Sequence, residues 1–146
     1  MMLPDSYDVR VSAFDDIDPR TAYLLWQLRE SVFVVEQACP YADLDGRDLE
    51  PGTRHIWITD GQPVAYLRLL DDGDQARIGR VLVAPGHRGR GLAGRLMQEA
   101  LDLVGDGPSC LDAQSHLAHW YTRFGYRQAG EEFVEDGIPH VPMRRP

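Results

Sequence analysis

The residues from Ile78 to Met97 constrain the fold more than any other stretch of this sequence. They begin with an apolar, β-branched run, break at Pro85-Gly86, and continue as a helical pattern from about Gly91. Between the predicted strand and helix lies a glycine-rich turn, residues 88–93, with the sequence Arg-Gly-Arg-Gly-Leu-Ala. Unpaired N–H groups at a helix start bind anions, and glycines let a phosphate approach the backbone closely. With two arginines beside them, these features predict a diphosphate-binding turn and a phosphate-bearing cofactor.

The acidity of the chain limits the partners it can have. The 146 residues carry a net charge of -8, which argues against nucleic acid or an anionic membrane as the main partner. Cys39 and Cys110 lie far apart and no metal-ligand spacing stands out, so we expect free thiols and no metal. The first residues lack a secretory-signal pattern, and no apolar run is long enough to span a bilayer. We therefore expect a cytoplasmic protein.

Hydrophobic periodicity predicts elements in the order β, α, βββ, α, β, α, ββ. Alternation predicts a first strand from Tyr7 to Phe14, and a helical period predicts a helix from about Pro19 to Val35 with a break near Ser31. The later predicted strands cover 54–59, 64–70, 77–83, 109–113, 126–134 and 140–144, and the later helices cover 92–103 and 116–124. This order predicts one α/β domain over residues 1–146 with a mixed sheet, whose three consecutive strands form an antiparallel meander.

Residues 89–94 also match the dinucleotide-binding pattern G-x-G-x-x-G, with Asp112 about twenty residues further on. Two features argue against a nucleotide-binding oxidoreductase of that kind. Five residues separate the predicted strand from Gly89, whereas the first glycine of a dinucleotide fold follows its strand directly. Too few residues follow Asp112 to complete a doubly wound sheet. We therefore rank this alternative below the next one.

A second pattern, [Arg/Gln]-x-x-Gly-x-[Gly/Ala], is met by Arg88, Gly91 and Ala93. The run Trp120-Tyr-Thr-Arg-Phe-Gly-Tyr126 follows about thirty residues later. Together these segments resemble the GNAT superfamily of acyl-CoA-dependent N-acetyltransferases, and the resemblance covers nearly the whole chain. Within that superfamily the sequence is most similar to the ElaA-like branch, through segments 32–37, 39–46, 66–70, 78–81, 113–117 and 135–140.

The resemblance implies the GNAT fold, an α/β architecture whose mixed, largely antiparallel sheet is splayed between its fourth and fifth strands and flanked by helices. It implies acetyl-CoA as the cosubstrate, entering that gap, and a small-molecule or peptide amine as the acceptor. Related chains often dimerise, so a homodimer is compatible with the resemblance. Gln114 stands where many family members carry an asparagine that contacts the pantetheine arm. The implied cofactor-binding residues are Leu82, Val83, Arg88, Gly89, Arg90, Gly91, Leu92, Ala93 and Gln114.

Acyl transfer to an amine needs a proton donor for the departing thiolate and a proton acceptor for the amine. Tyr121 matches the family tyrosine that approaches the sulfur, and we assign it as the general acid. Its ordinary pKa of about 10 lies above the value near 8.5 of a thiol, so its proton remains available at neutral pH. Glu36, near the end of the first helix, is the expected base or amine-attracting carboxylate. The histidines His55, His116 and His140 are alternative bases.

Arg29, Arg68 and Arg80 lie in segments expected to border the pocket, where they could hold an anionic group of the substrate. Ion pairing with the many acidic residues is the alternative we favour. The sequence thus predicts an N-acyltransferase that uses acetyl-CoA by direct attack of a bound amine. The main rival is an acyl-CoA-binding regulatory protein without significant turnover, and the identity of the acceptor is left open.

Overall fold

The computed structural model describes residues 6–146, so the first five residues of the predicted domain lie outside it. In the described part, eight strands form one sheet in the order β1-β2-β3-β4-β5-β8-β6, and β7 pairs with β8. The strands are β1 (Asp8–Ser12), β2 (Arg54–Asp60), β3 (Gln62–Asp71), β4 (Ala76–Val83), β5 (Ser109–Gln114), β6 (Arg127–Gln128), β7 (Phe133–Glu135) and β8 (Ile138–Arg145). The helices are α1 (Pro19–Arg29), α2 (Leu92–Val104) and α3 (Ala118–Thr122), and a π-helical segment, Glu30–Glu36, extends α1.

The predicted antiparallel meander is present, because β1, β2, β3 and β4 pair antiparallel in sequence order. Strand β4 then pairs parallel with β5, but only through three residue pairs, from Ala76 opposite Ser109 to Ile78 opposite Leu111. Beyond Ile78 the two strands part, which opens a gap in the middle of the sheet. This splayed, mixed sheet is the fold that the sequence predicts.

The first helix begins where the sequence predicts. The carboxylate of Asp18 accepts a hydrogen bond from Thr21 N at 3.0 Å, and Pro19 occupies the first turn. The α-helix ends at Arg29 and continues as the π-helical segment, in which Gln37 N donates to Val32 O at 3.2 Å. The predicted break near Ser31 is therefore a widening of the helix, a feature often found at functional sites.

Side chains on the two faces of the sheet belong to different hydrophobic clusters, as the two-residue period of a strand requires. On β2, Ile56 and Ile58 pack in the cluster beneath α2, whereas Trp57 packs with Leu25 and Phe33 beneath α1 and the π-helical segment. Strand β3 is buried on both faces because helices cover both. Because β3 pairs with β4, it supports the strand that forms one side of the gap.

The predicted strand over 126–134 is wrong, because the chain forms the two short strands β6 and β7 instead. Between them Gly130 lies so close to β8 that a Cβ there would be 2.9 Å from Pro142 Cγ. Pro142 has no N–H with which to extend a ladder. The last strand is longer than predicted and lies between β5 and β6, and α3 is shorter than predicted. No helix within residues 6–146 combines the length and apolar character of a membrane span.

Candidate active site

Two adjoining cavities lie at the gap between β4 and β5. The larger has a volume of about 560 Å3 and is bounded by the π-helical segment, β4, β5, α3 and the β7–β8 hairpin. The smaller, of about 390 Å3, lies over the glycine-rich turn and the start of α2. Both cavities share four lining residues, which are Val83, Arg88, Ala93 and Trp120. The two cavities can therefore hold two parts of one ligand.

The smaller cavity has no acidic residue in its lining, although the chain contains 23 acidic residues in all. Its lining includes Arg88, Arg95, Arg123 and His87, together with glycines of the turn. A cavity with cationic side chains and exposed backbone is suited to an anion. This distribution of charge fits the phosphate-bearing cofactor that the sequence predicts.

The glycine-rich turn presents the backbone of α2 to the smaller cavity. Gly89 and Gly91 have φ values of 77° and 79°, in the left-handed region that glycine adopts without strain. Gly91 is the N-cap residue of α2, and no side chain caps the helix. The first N–H groups of this 13-residue helix therefore remain available, at the positive end of its dipole.

Two arginine side chains of the turn form hydrogen bonds with other parts of the protein. Arg90 Nη1 donates to the Tyr7 hydroxyl at 2.7 Å, and that hydroxyl bonds His87 Nδ1 at 2.8 Å. Arg90 lines neither of the two cavities. Arg88 Nε donates to Val83 O at 2.9 Å, and both of its terminal nitrogens bond the Glu36 carboxylate at 2.7 Å. The side chains thus hold the turn in place, and the backbone remains the part available for an anion.

The residues of the smaller cavity that sequence reasoning did not assign to the site include Arg95, Gln98 and Arg123. Arg95 and Gln98 follow Gly91 at helical spacing, so the pattern of α2 could have indicated them. Arg123 comes two residues after Tyr121, and its guanidinium lies over the Trp120 ring at 5.5 Å. The ion pairs of the described residues include none for Arg123.

Tyr121 lies at the wall of the larger cavity, with its ring edge against Trp120 and Tyr126. The side chain is buried, and burial raises the pKa of its hydroxyl to about 12. The hydroxyl therefore stays protonated at neutral pH and can donate a hydrogen bond or a proton into the cavity.

Glu36 lines the larger cavity in its ion pair with Arg88. Hydrogen bonds from Arg88 hold the pKa of the Glu36 carboxyl below its ordinary value, so it is ionised at neutral pH. An ionised carboxylate keeps lone pairs for a further hydrogen bond, but a depressed pKa makes it a weak base. The pair also joins the π-helical segment to the glycine-rich turn across the cavity.

Among the candidate histidines, His116 and His140 line the larger cavity. His140 Nδ1 lies 2.7 Å from Ile138 O; a carbonyl can only accept, so Nδ1 carries the proton and Nε2 keeps its lone pair. His55 is not at the cavity. It is buried, bonds the Tyr66 hydroxyl at 2.6 Å and Asp48 O at 3.1 Å, and burial lowers its pKa. The hypothesis that His55 is a base is therefore wrong.

Three arginines and three aspartates form an arginine–aspartate cluster beside the larger cavity. The members are Arg29, Arg68, Arg80, Asp43, Asp45 and Asp48. Arg29 is fully buried and bonds Asp43 at 2.9 Å and Asp48 at 2.7 Å. Only Arg80 of the three arginines lines a cavity. Ion pairing, the interpretation favoured from sequence, is what the structure shows for these side chains.

The other predicted cofactor-binding residues also lie at the cavities. Leu82 and Gln114 line the larger one, Gly89, Gly91 and Leu92 line the smaller one, and Val83 and Ala93 line both. Gln114 Nε2 makes a long contact of 3.4 Å to Gln37 Oε1. The structure thus brings together every residue of this set except Arg90, which lines neither cavity. Residues 6–146 contain no group of three or more potential metal-ligating side chains.

A sequence profile described as an acetyltransferase (GNAT) domain matches residues 27–145. The chain belongs to the GNAT acetyltransferase family. Among curated relatives of this GNAT chain is the UPF0039 protein Rv2851c of Mycobacterium tuberculosis, 49% identical over 137 residues, which cover 90% of this chain and 88% of the relative. This confirms the resemblance found in the sequence.

Solved structures of GNAT relatives agree with the observed architecture. An acyl-CoA N-acyltransferase from Pseudomonas aeruginosa superimposes with a TM-score of 0.90 at 44% identity, covering 96% of this chain and 99% of that one. Escherichia coli ElaA gives a TM-score of 0.90 at 38% identity, with the same two coverages. The predicted GNAT fold and the similarity to the ElaA-like branch are both confirmed.

Proposed function

We propose that residues 1–146 form a cytoplasmic N-acetyltransferase domain that transfers the acetyl group of acetyl-CoA to a primary amine of a small molecule or peptide. One observation carries the proposal. An acid-free, arginine-lined cavity at the start of α2 opens into a larger cavity at the gap between β4 and β5. The similarity to the acyl-CoA N-acyltransferase from Pseudomonas aeruginosa agrees with it.

The cofactor would be held mainly by backbone groups. N–H groups of Gly89, Arg90, Gly91, Leu92 and Ala93 would bind the diphosphate, with Arg88 adding positive charge nearby. The backbone of Leu82 and Val83 and the amide of Gln114 would bind the pantetheine arm in the larger cavity. The cofactor supplies an activated thioester, and the residues that line the gap hold it within reach of the amine.

Tyr121 is the proposed general acid for the departing thiolate. Its raised pKa keeps the hydroxyl protonated but makes it a weaker acid than a thiol, so its larger role is to stabilise the thiolate by donating a hydrogen bond. The bond between the amine nitrogen and the acetyl carbon forms as the carbon–sulfur bond breaks. The amine loses one proton in this step, so the site must accept it.

Two residues of the larger cavity are proposed to accept the proton of the amine, directly or through water. Glu36 carries a permanent negative charge that attracts a cationic amine, although its pair with Arg88 weakens it as a base. His140 has a free Nε2 because its Nδ1 donates to Ile138 O. A histidine with one nitrogen fixed by a hydrogen bond is a common arrangement for a general base.

Two measurements on the purified chain test the proposed function. Calorimetry with CoA and acetyl-CoA should show binding, and release of free thiol should accelerate when members of an amine panel are added. Binding without amine-dependent thiol release would support the rival, an acyl-CoA-binding regulatory protein. A folded chain with no affinity for CoA or acetyl-CoA would overturn the proposal.

A further inference from the structure

Strand β4 contains a bulge at the place where it leaves β5. Gly79 lies opposite Arg68 on β3, and Leu82 lies opposite Tyr66. One residue of β3 therefore faces two residues of β4, Arg80 and Val81, which is the pattern of a β-bulge. The last residue of β4 that pairs with β5 is Ile78. The bulge thus begins at the opening of the gap, and its residues Arg80 and Val81 are part of the lining of the larger cavity.

The backbone of the bulge is strained. Arg80 has a φ of 54°, in the left-handed region that a residue with a side chain rarely adopts. Glycine would adopt this conformation freely, yet an arginine occupies the position. Strained residues persist only where the surrounding structure holds them, and they often lie at functional sites. The contacts of the Arg80 side chain should therefore explain why the strain is kept.

The Arg80 side chain is held on the loop between the π-helical segment and β2. Its Nε lies 2.9 Å from Asp43 Oδ1, at ion-pair distance but without the angle of a hydrogen bond. Its Nη2 donates to Asp43 O at 3.1 Å and lies 3.4 Å from Asp45 Oδ2. The guanidinium also lies over the Tyr41 ring at 5.4 Å.

The aspartates that hold Arg80 are themselves fixed. Asp43 bonds the buried Arg29 at 2.9 Å, and Asp45 bonds Arg68 of β3 at 2.6 Å. The arginine–aspartate cluster therefore ties the bulge to α1 and to the strand beside it. Networks of paired, buried charges are rigid because breaking one pair leaves an uncompensated charge.

We propose that Arg80 is a positioning residue, which holds the β4 bulge through Asp43 and Asp45 and so keeps the backbone of Val81, Leu82 and Val83 at the wall of the larger cavity. The inference rests on the proposed function for its effect on catalysis, but the holding of the bulge does not. In this proposal the role of the arginine–aspartate cluster is to maintain the geometry of the gap. The charges support this role, because three arginines are balanced by three aspartates within the cluster. No net positive charge is left in it for an anionic substrate group.

Arg80→Gly removes the side-chain contacts and also relieves the backbone strain, so faster exchange in this variant would not come from strain. Arg47→Ala is the matched control, because Arg47 also pairs with two carboxylates, Glu50 and Asp72, but lines neither cavity. Hydrogen exchange of the protein alone is the first measurement. We expect Arg80→Gly to speed exchange at residues 79–83 by about tenfold or more while β2 is unchanged. Equal exchange in both variants and the wild type would overturn the proposal, whether or not the chain is an enzyme.

Thioester hydrolysis by water, together with transfer to the best amine of a panel, is the second measurement. We expect Arg80→Gly to lower kcat for both reactions by about tenfold or more, because small displacements of reacting groups are costly. The midpoint of thermal unfolding should fall, because Asp43 and Asp45 lose a cationic partner, and the Kd for CoA should rise by a smaller factor than kcat falls. A rise in KM for one anionic acceptor, with hydrolysis unchanged, would show that Arg80 binds the substrate and would overturn the positioning role. If the wild type shows neither CoA binding nor turnover, the proposed function fails, and the exchange measurement still decides on the bulge.

Discussion

The two cavities differ in how the sequence builds them. The smaller one is formed by two short stretches, residues 83–98 and 120–124, and its ligand-facing groups are mostly backbone and arginine. The larger one gathers residues from the π-helical segment, the following loop, β4, β5, α3 and the β7–β8 hairpin. It mixes carboxylates, arginines and histidines. In the proposed function, the residues that bind the diphosphate come from two short stretches of sequence. The residues around the acceptor come from segments that only the complete fold brings together.

This difference leads to a general expectation that substitutions can test. A change in the lining of the smaller cavity should weaken cofactor affinity and leave turnover at saturation nearly intact. A change in the lining of the larger cavity should lower turnover and leave cofactor affinity intact, except at Leu82, Val83 and Gln114, which are proposed to bind the pantetheine arm. A substitution in one cavity that changed mainly the quantity assigned to the other cavity would show that the two cavities do not act separately.

The largest effect is expected for Tyr121→Phe at the larger cavity. Loss of the hydroxyl should lower kcat about 10²-fold, the lower end of the range for a general acid. The Kd for CoA should be unchanged, because the ring and its packing against Trp120 and Tyr126 are kept. Steady-state thiol release and calorimetry measure the two quantities. Unchanged turnover at saturating substrate would remove Tyr121 from the mechanism.

Gly91→Ala at the smaller cavity should weaken CoA binding by about tenfold, equivalent to ~1.4 kcal/mol. The added methyl group strains a residue with a φ of 79° and crowds the turn that faces the diphosphate. Gly61→Ala is the control, because Gly61 has a φ of 76° in the β2–β3 hairpin and lines neither cavity. Both variants should lose similar thermal stability, but only Gly91→Ala should lose affinity in calorimetry. Equal CoA affinity in the two variants would contradict a backbone-made diphosphate site.

His140→Gln and Glu36→Gln compare the two proposed proton acceptors of the larger cavity. We expect about a tenfold loss of kcat for His140→Gln. Glu36→Gln should cost only about threefold, because the depressed pKa of Glu36 makes its carboxylate a poor base. Steady-state kcat of both variants, with the Kd for CoA measured alongside, decides between them. A larger loss of kcat for Glu36→Gln than for His140→Gln would make Glu36 the base.

The smallest effect is expected for Arg123→Ala at the smaller cavity. Loss of one partly exposed cation should weaken CoA binding by roughly fivefold, or ~1 kcal/mol. The difference from the wild type should shrink at high ionic strength because salt screens exposed charges. Arg10→Ala, which removes an arginine on the edge strand β1, should leave the Kd unchanged. Equal affinities at low salt would show that Arg123 does not contact the phosphates.

Much of the fold could be predicted from the sequence, because its signals are local. Asp18-Pro19 marks the start of α1, and the pattern from Ile78 to Met97 gives the strand, turn and helix that build the smaller cavity. The position of β8 between β5 and β6 could not be predicted, because strand pairing between distant segments leaves no periodic signal. The sequence also does not show that β6 and β7 are separate strands, because each is defined by its pairing with a different part of β8.

The candidate site divides in the same way. The backbone donors of the turn follow from a local motif, and Tyr121 follows from a family resemblance. The pairing of Glu36 with Arg88, 52 residues apart, could not be predicted, nor could the strained backbone of Arg80. Each depends on which side chains the completed sheet brings together.

The burial of Arg29 limits how this sequence can vary over evolutionary time. Three nitrogens of its guanidinium each make a hydrogen bond, Nε and Nη2 to Asp43 and Nη1 to Asp48, a planar spread of donors that the compact ammonium of a lysine does not reproduce. A single exchange at any of these positions would leave a charge without its partner in a buried place. The effects of such exchanges are therefore not additive, and the first is harmful until the next one follows. Descendants of this chain would have to replace the buried residues Arg29, Asp43 and Asp48 together or keep all three.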